Sequence, residues 1–208
     1  MRAAAFAPRL VIMVKEPVAG RVKTRLARGI GAVGAVKAYR AMLASIAARL
    51  ARDRRWETML AVSPDTSVAS AMLPVPSARF AQGGGDLGQK LQHIFDILPP
   101  GPVVVIGTDI PGIAASDIAD AFMALGSHDA VFGPSPDGGY WLVGMKRRPH
   151  VPRAFDAVRW SSDNALADTL TNLADYRVAL LRTEDDIDDA ADLARLAPLV
   201  GRRISPRL

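Results

Sequence analysis

The sequence predicts an α/β domain, because strand-length apolar runs alternate with segments of helical period and the length suits one core. The strand candidates are Leu10 to Val14, Thr58 to Val62, Val103 to Gly107, Ala130 to Phe132, Tyr140 to Met145 and Val178 to Leu181. Between the first two, Val36, Tyr39, Leu43, Ile46 and Leu50 recur at three- and four-residue steps, predicting an amphipathic helix over Ala32 to Ala51. Leu87, Leu91, Ile94 and Leu98 repeat the pattern over Asp86 to Leu98, and Pro99-Pro100-Gly101 stops it. Two later helices are expected to begin at Ser116 and Ser162, whose hydroxyls suit the free amides of a first turn. With 208 residues, half of them hydrophobic, a single domain over residues 1–208 is expected, its core spanning about 10 to 200.

Composition excludes several chemistries. There is no cysteine, so thiolate metal sites, disulfides and cysteine nucleophiles are ruled out, and a cytoplasmic setting is expected. The start, Met1 to Arg9, looks like a secretory signal only until Pro8 and Arg9 interrupt it, and no run approaches the roughly 20 apolar residues of a membrane span. The net charge of +5 suits an anionic partner. Its basic clusters, Arg49, Arg52, Arg54 and Arg55 and then Lys146, Arg147 and Arg148, lack the interleaved aromatics of a single-strand nucleic-acid groove, so nucleic acid is not expected.

Ligands of open α/β sheets sit beyond the carboxyl ends of strands, and four such positions carry chemistry. After the first strand, Lys15, Arg21, Lys23 and Arg25 lie within eleven residues and bracket Gly20, beside Thr24. Cations and backbone amides in such a loop bind phosphate oxygens, with a solvated basic loop as the alternative. The Walker pattern fails because no glycine precedes Lys23, and the glycines at 29, 31 and 34 lie too far from the strand for a dinucleotide fingerprint.

Asp109 follows the most apolar strand, where a carboxylate would meet Mg²⁺ or Mn²⁺, although aspartate also favours turns. Asp137-Gly138-Gly139 reads equally as a hairpin turn, and Tyr140-Trp141 directly after it offers a surface for substrate. Glu184 to Asp189 holds five acidic residues in six, either a helix start or a source of the second metal carboxylate. His93, His128 and His150 fall away from these loops and are assigned nothing.

Together the runs V-K-E-P-V-A-G-R-V-K-T-R-L, Q-G-G-G-D-L-G, G-T-D-I-P-G, G-P-S-P-D-G-G-Y-W-L-V-G and D-I-D-D-A-A-D-L resemble the DUF2064 family. That family is also described as radical-SAM/selenodomain-associated transferases and is placed in the nucleotide-diphospho-sugar transferase (GT-A) superfamily. The resemblance spans residues 11 to about 193. It implies a three-layer α/β/α Rossmann-like GT-A fold with a mixed, mostly parallel sheet. It implies Asp109 as one metal ligand and, by position, Asp188 as the other. At this second site Asp189 stands where threonine is usual and Ala190-Ala191 replaces Pro-Glu, so Asp186 stays open beside Asp188.

The function expected is metal-dependent transfer from a nucleotide-activated donor, without a covalent nucleophile. Lys15, Gly20, Arg21, Lys23, Thr24 and Arg25 would meet the phosphates, and Gln82, Gly84 and Asp86 the base or sugar. Asp137, Gly138, Gly139, Tyr140, Trp160 and Ser161 would line the acceptor side. Lys23, Arg25 and Asp109 are the catalytic candidates. Glycosyl transfer is one outcome. Nucleotidyl transfer is the other, since Lys23-Thr24-Arg25-Leu26 resembles an element of phospholactate guanylyltransferases. A catalytically silent nucleotide-binding module is a third reading. The partners expected are a nucleotide or nucleotide sugar and an acceptor, and the assignment allows a homodimer.

Overall fold

The computed structural model describes residues 6–74 and 78–200. The first five residues of the signal-like run lie outside the described residues. In chain order the elements are β1 (Arg9–Lys15), α1 (Thr24–Leu50), β2 (Glu57–Ser63), β3 (Ala78–Ala81), α2 (Leu87–Ile97) and β4 (Val103–Ile106). They continue with α3 (Ala115–Ser127), β5 (Ala130–Pro134), β6 (Tyr140–Met145), α4 (Ala165–Thr171), β7 (Val178–Leu180) and α5 (Ala190–Val200). The seven strands form one sheet in the order β3-β2-β1-β4-β6-β5-β7. Pairing is parallel except for β6, which runs against β4 and β5.

The central strands β1, β4, β5 and β6 are buried on both faces, and alternation decides which residue serves which face. Leu10, Ile12 and Val14 of β1 and Val104 and Ile106 of β4 pack with Val36, Leu43, Ile46 and Leu50 of α1 and Ile118 and Leu125 of α3. Their neighbours Val11, Val103 and Val105 pack with Leu91, Ile94 and Phe95 of α2, joined by Phe155 and Leu173. The result is three layers. This is the mixed, mostly parallel α/β/α fold that the resemblance implies.

The topology also fixes where ligands can go. From β1 the chain moves out through β2 and β3, then returns to β4 on the other side of β1, so a crevice opens beyond the ends of β1 and β4. Because β5 and β7 point the same way as β4, the β5–β6 turn and the segment after β7 arrive at that rim too.

Several sequence expectations are corrected. α1 begins eight residues before Ala32, at Thr24, and breaks at Gly31 (φ 74°, ψ 160°), so the glycines interrupt a helix rather than lead into one. α1 is also long and apolar enough, by length and composition, to cross a membrane, contrary to the expectation that no segment is. Its apolar stripe is packed in the core described above. β3 is additional. It is a four-residue edge strand without an apolar run, and Arg79 within it donates to the carbonyls of Val68, Ser70, Leu73 and Pro74 at 2.8–3.3 Å. Neither serine caps a helix as expected. α3 starts at Ala115, with Asp117 Oδ2 accepting from Ala114 N at 2.7 Å, and α4 starts at Ala165, three residues beyond Ser162.

Candidate active site

Two adjoining cavities open at the rim, of about 520 Å³ and about 760 Å³. Lys15, Lys23 and Asp109 wall both, forming the seam between them. β1 delivers Lys15, β4 delivers Asp109 through Gly107-Thr108, and Lys23 ends the intervening loop in a left-handed conformation (φ 49°) just before α1.

At the seam the Lys23 ammonium is surrounded by oxygen. Nζ donates to Asp109 Oδ2 at 2.9 Å, Asp188 Oδ1 at 3.3 Å and Ile187 O at 2.5 Å, with the side chain only 7% exposed. Thr108 Oγ1 donates to Asp109 Oδ1 at 3.1 Å, and Ile187 N donates to Asp109 O at 2.9 Å, so the segment after β7 is stitched to the end of β4. Arg25 donates to Asp188 Oδ2 at 2.9 Å. Lys15 is held through its backbone. Its N donates to Tyr39 Oη at 2.8 Å, and Tyr39 Oη donates back to Lys15 O at 3.1 Å. Burial pushes the Tyr39 hydroxyl up to about 12, which keeps it a donor.

The acidic run after β7 separates by role. Glu184 pairs with Arg182, and Asp185 with Arg195. Asp189 Oδ1 accepts from Ala191 N and Asp192 N, while Asp192 Oδ2 accepts from Asp189 N, a reciprocal cap on α5. Asp188 faces the seam. Asp186 lines the larger cavity, where burial, and then the charges of Asp188 and Asp137, push its carboxyl up to about 6. Among the described residues no group of three or more carboxylate or imidazole side chains converges as a metal cage; the oxygen set at the seam is two carboxylates and a carbonyl.

The smaller cavity gathers Lys15, Lys23, Gln82, Asp86 and Leu87. Two of these are already engaged by the fold. Gln82 is buried, its Nε2 donating to Val14 O at 3.1 Å and Ala61 O at 2.8 Å, and Asp86 caps α2 by accepting from Gln89 N at 2.8 Å. The larger cavity gathers Thr24, Arg25, Asp137, Gly139, Trp160 and Ser161 with the seam residues. Asp137 also shapes the β5–β6 turn, its Oδ1 accepting from Gly139 N at 2.9 Å. Gly138 sits at φ 82°, with Asp163 so close that a Cβ would lie 2.1 Å from its carbonyl oxygen. Gly20, Arg21 and Gly84 wall neither cavity; Arg21 faces a separate recess with Glu16 and Ser63. Trp141, Tyr140 and Trp160 all line this cavity; Trp141 is buried and donates from Nε1 to Arg182 O at 3.2 Å.

Residues 46–162 match the model of a family described as an uncharacterized protein conserved in bacteria, DUF2064. The chain belongs to the DUF2064 family. No curated protein matches it. Among solved structures, this DUF2064 protein is similar to a candidate nucleotide-diphospho-sugar transferase from Desulfovibrio desulfuricans, at 26% identity and a TM-score of 0.79, covering 94% of this chain and 97% of that one. It shares its fold with 4-diphosphocytidyl-2C-methyl-D-erythritol synthase from Anaerococcus prevotii (12% identity, TM-score 0.56, 92% and 96% covered). It shares it also with Rv0371c from Mycobacterium tuberculosis, solved in complex with manganese (18% identity, TM-score 0.54, 92% and 97% covered).

Three contributors to the DUF2064 site escape a sequence reading. Ile187 enters through its carbonyl, which has no side-chain signature. Tyr39 reads as one more apolar position on the α1 stripe, and Leu87, 44% exposed between the two cavities, as one more on α2.

Proposed function

We propose that this protein is a metal-dependent transferase that holds a nucleotide-activated donor in the smaller cavity and an acceptor in the larger one. The observation that carries the reading is the convergence of Asp109 Oδ2, Asp188 Oδ1 and Ile187 O on one ammonium at the seam. A set of hard oxygens already closed around a cation fits Mg²⁺ or Mn²⁺, which one or two carboxylates commonly tether beside substrate phosphates. Asp109 and Asp188 would hold that ion, which supplies charge neutralisation for the diphosphate.

The chain's own groups do the rest. Lys15, Arg25 and Lys23, once released from the carboxylates, donate to phosphate oxygens and stabilise the charge that builds on the leaving group. The Thr108 hydroxyl keeps Asp109 turned to the seam. Leu87 and the apolar wall around Leu91 and Val143 exclude water from one side of the donor. Asp186, in the wall of the larger cavity, is placed to take up a proton from the acceptor.

In glycosyl transfer the acceptor attacks the sugar carbon and a nucleoside diphosphate leaves. Nucleotidyl transfer is a second reading, favoured by the fold shared with a diphosphocytidyl synthase; there the acceptor attacks the α-phosphorus and pyrophosphate leaves. A thermal-shift panel of nucleoside triphosphates and nucleotide sugars, with and without Mg²⁺ or Mn²⁺, tests the common claim, followed by assay of the released diphosphate or pyrophosphate. Stabilisation by nucleotide plus metal, lost in Asp109→Ala, is expected. If no nucleotide stabilises the protein with metal present, the reading is wrong.

A further inference from the structure

The side of the larger cavity away from the seam has a charge pattern of its own. Beyond Lys15, Lys23, Asp109 and Asp188 at the seam, the charged groups that line this cavity are Arg25, Asp137, Asp163 and Asp186. Arg25 is committed to Asp188 at 2.9 Å. Among the described residues no salt bridge reaches Asp137, Asp163 or Asp186, although the charge of Lys23 is felt at Asp186 and that of Asp163 at Arg159. Asp137 and Asp163 are each engaged through Oδ1 by a neutral donor, Gly139 N at 2.9 Å and Asn164 Nδ2 at 2.7 Å. Arg159, the cation next to the wall residues Trp160 and Ser161, is folded back onto Asp168 by bonds of 2.9 Å and 2.7 Å. Arg25, the arginine that does line this cavity, is thus held at Asp188, and Arg159 is turned back on its own segment.

Ionised carboxylates only accept hydrogen bonds, so a wall of them selects a partner that donates. It also repels an anion, in a recess where charge is screened less than in open water. Trp160 adds a flat apolar face, held in place by Phe155 and Tyr140 at ring separations of 6.4 Å and 6.3 Å. An indole beside carboxylates matches the apolar face and hydroxyl edge of a sugar, or an ammonium group.

We propose that the acceptor is a neutral or cationic molecule rich in hydroxyl or amino donors, such as a sugar, amino sugar or other polyol, and not a phosphate or phosphonate. This rests on the transferase reading above and selects glycosyl transfer within it. An acceptor hydroxyl oxygen bonds to the sugar carbon of the donor as the carbon–oxygen bond to phosphate breaks. Its electron pair leaves with the nucleoside diphosphate, and the hydroxyl proton passes to a wall carboxylate.

The test uses the full chain with saturating nucleoside diphosphate and Mg²⁺, so that the phosphate subsite is filled. Saturation-transfer NMR then compares glucose, glucosamine and glucose 6-phosphate as probes, in the wild type and in Asp137→Asn/Asp163→Asn. Glucose and glucosamine should bind at least about tenfold more tightly than the phosphorylated probe, and the double variant should shrink that preference severalfold. Equal or stronger binding of glucose 6-phosphate, no measurable difference among the probes, or a preference unchanged in a folded double variant overturns the proposal. Should the variant fail to fold, the wild-type ranking decides. Calorimetry of the nucleoside diphosphate alone is run first. Its failure would overturn the transferase reading itself, and is distinct from any probe result.

Discussion

Lys23 Nζ lies 2.9 Å from Asp109 Oδ2, across the seam of two cavities, on a side chain only 7% exposed. The ammonium thus satisfies carboxylates that would otherwise repel each other in a recess where charge is costly. It stands where, on the transferase reading proposed above, a divalent cation would be held, and the two would compete.

Lys23→Met should therefore strengthen Mn²⁺ binding to the nucleotide-free protein by about tenfold, while weakening nucleotide binding in the presence of metal. Titration followed by Mn²⁺ electron paramagnetic resonance and by nucleotide calorimetry reads the two opposite shifts. Weaker Mn²⁺ binding in the variant would mean that Lys23 supports the metal instead of opposing it.

Asp188 and Asp186 are separated by the same measurement. Both line the larger cavity, but it is Asp188 that shares the ammonium with Asp109. Asp188→Asn should lower Mn²⁺ affinity by about tenfold or more, and Asp186→Asn by no more than a few-fold. The reverse order would move the second ligand to Asp186.

Asp186 also makes a pH prediction. Its folded-state carboxyl is pushed up from the usual 3.8 to about 6, first by burial and then by Asp188 and Asp137. Between those values the folded protein holds a proton that the unfolded chain has released, so this group's contribution falls as pH rises from about 4 to 6 and is level above. In metal-free protein, the melting temperature of Asp186→Asn should gain on the wild type across that window. Parallel curves would show that Asp186 titrates normally.

Gly138→Ala puts a methyl group 2.1 Å from Asp163 O at a left-handed backbone position. A loss of about 2 kcal/mol in denaturant unfolding is expected, because neither the turn nor the 163 carbonyl has room to yield. Gln82→Leu removes the donor shared by Val14 O and Ala61 O and should cost about 1–3 kcal/mol by the same method. A loss confined to nucleotide affinity would instead make Gln82 a ligand contact.

The central strands were legible because burial on both faces writes them as apolar runs, as in Val103 to Ile106. Asp109 was legible for the same reason, standing out at the end of such a run. β3 was not, since an edge strand held by the Arg79 guanidinium needs no apolar pattern. The start of α3 was missed because its cap is Ala114, whose N donates to Asp117 three positions on, and not a serine hydroxyl. Sequence places Gln82 and Asp86 in the cleft but is silent on what their polar atoms already hold. Among the basic residues, spacing along the chain could not say that Arg21 turns to a different recess from Lys23, since that depends on how a loop with Gly20 at φ 79° reverses direction.

The third and smallest apolar cluster joins Leu26, Ala35 and Met42 of α1 to Ile187 and Leu193 around the start of α5. Near its edge the Gly29 position has no room, a Cβ there falling 2.6 Å from Ala190 Cβ. The loop between β1 and α1 thus has a second footing on residues 187 to 193, besides the bond from Glu16 N to Ser63 O that ties it to the sheet. A stop codon ahead of residue 187 would leave both main cores whole, yet it would strip Lys23 and Arg25 of their anchor and the seam of two of its three oxygens. A truncated protein of that kind should still fold, and should be blind to nucleotide.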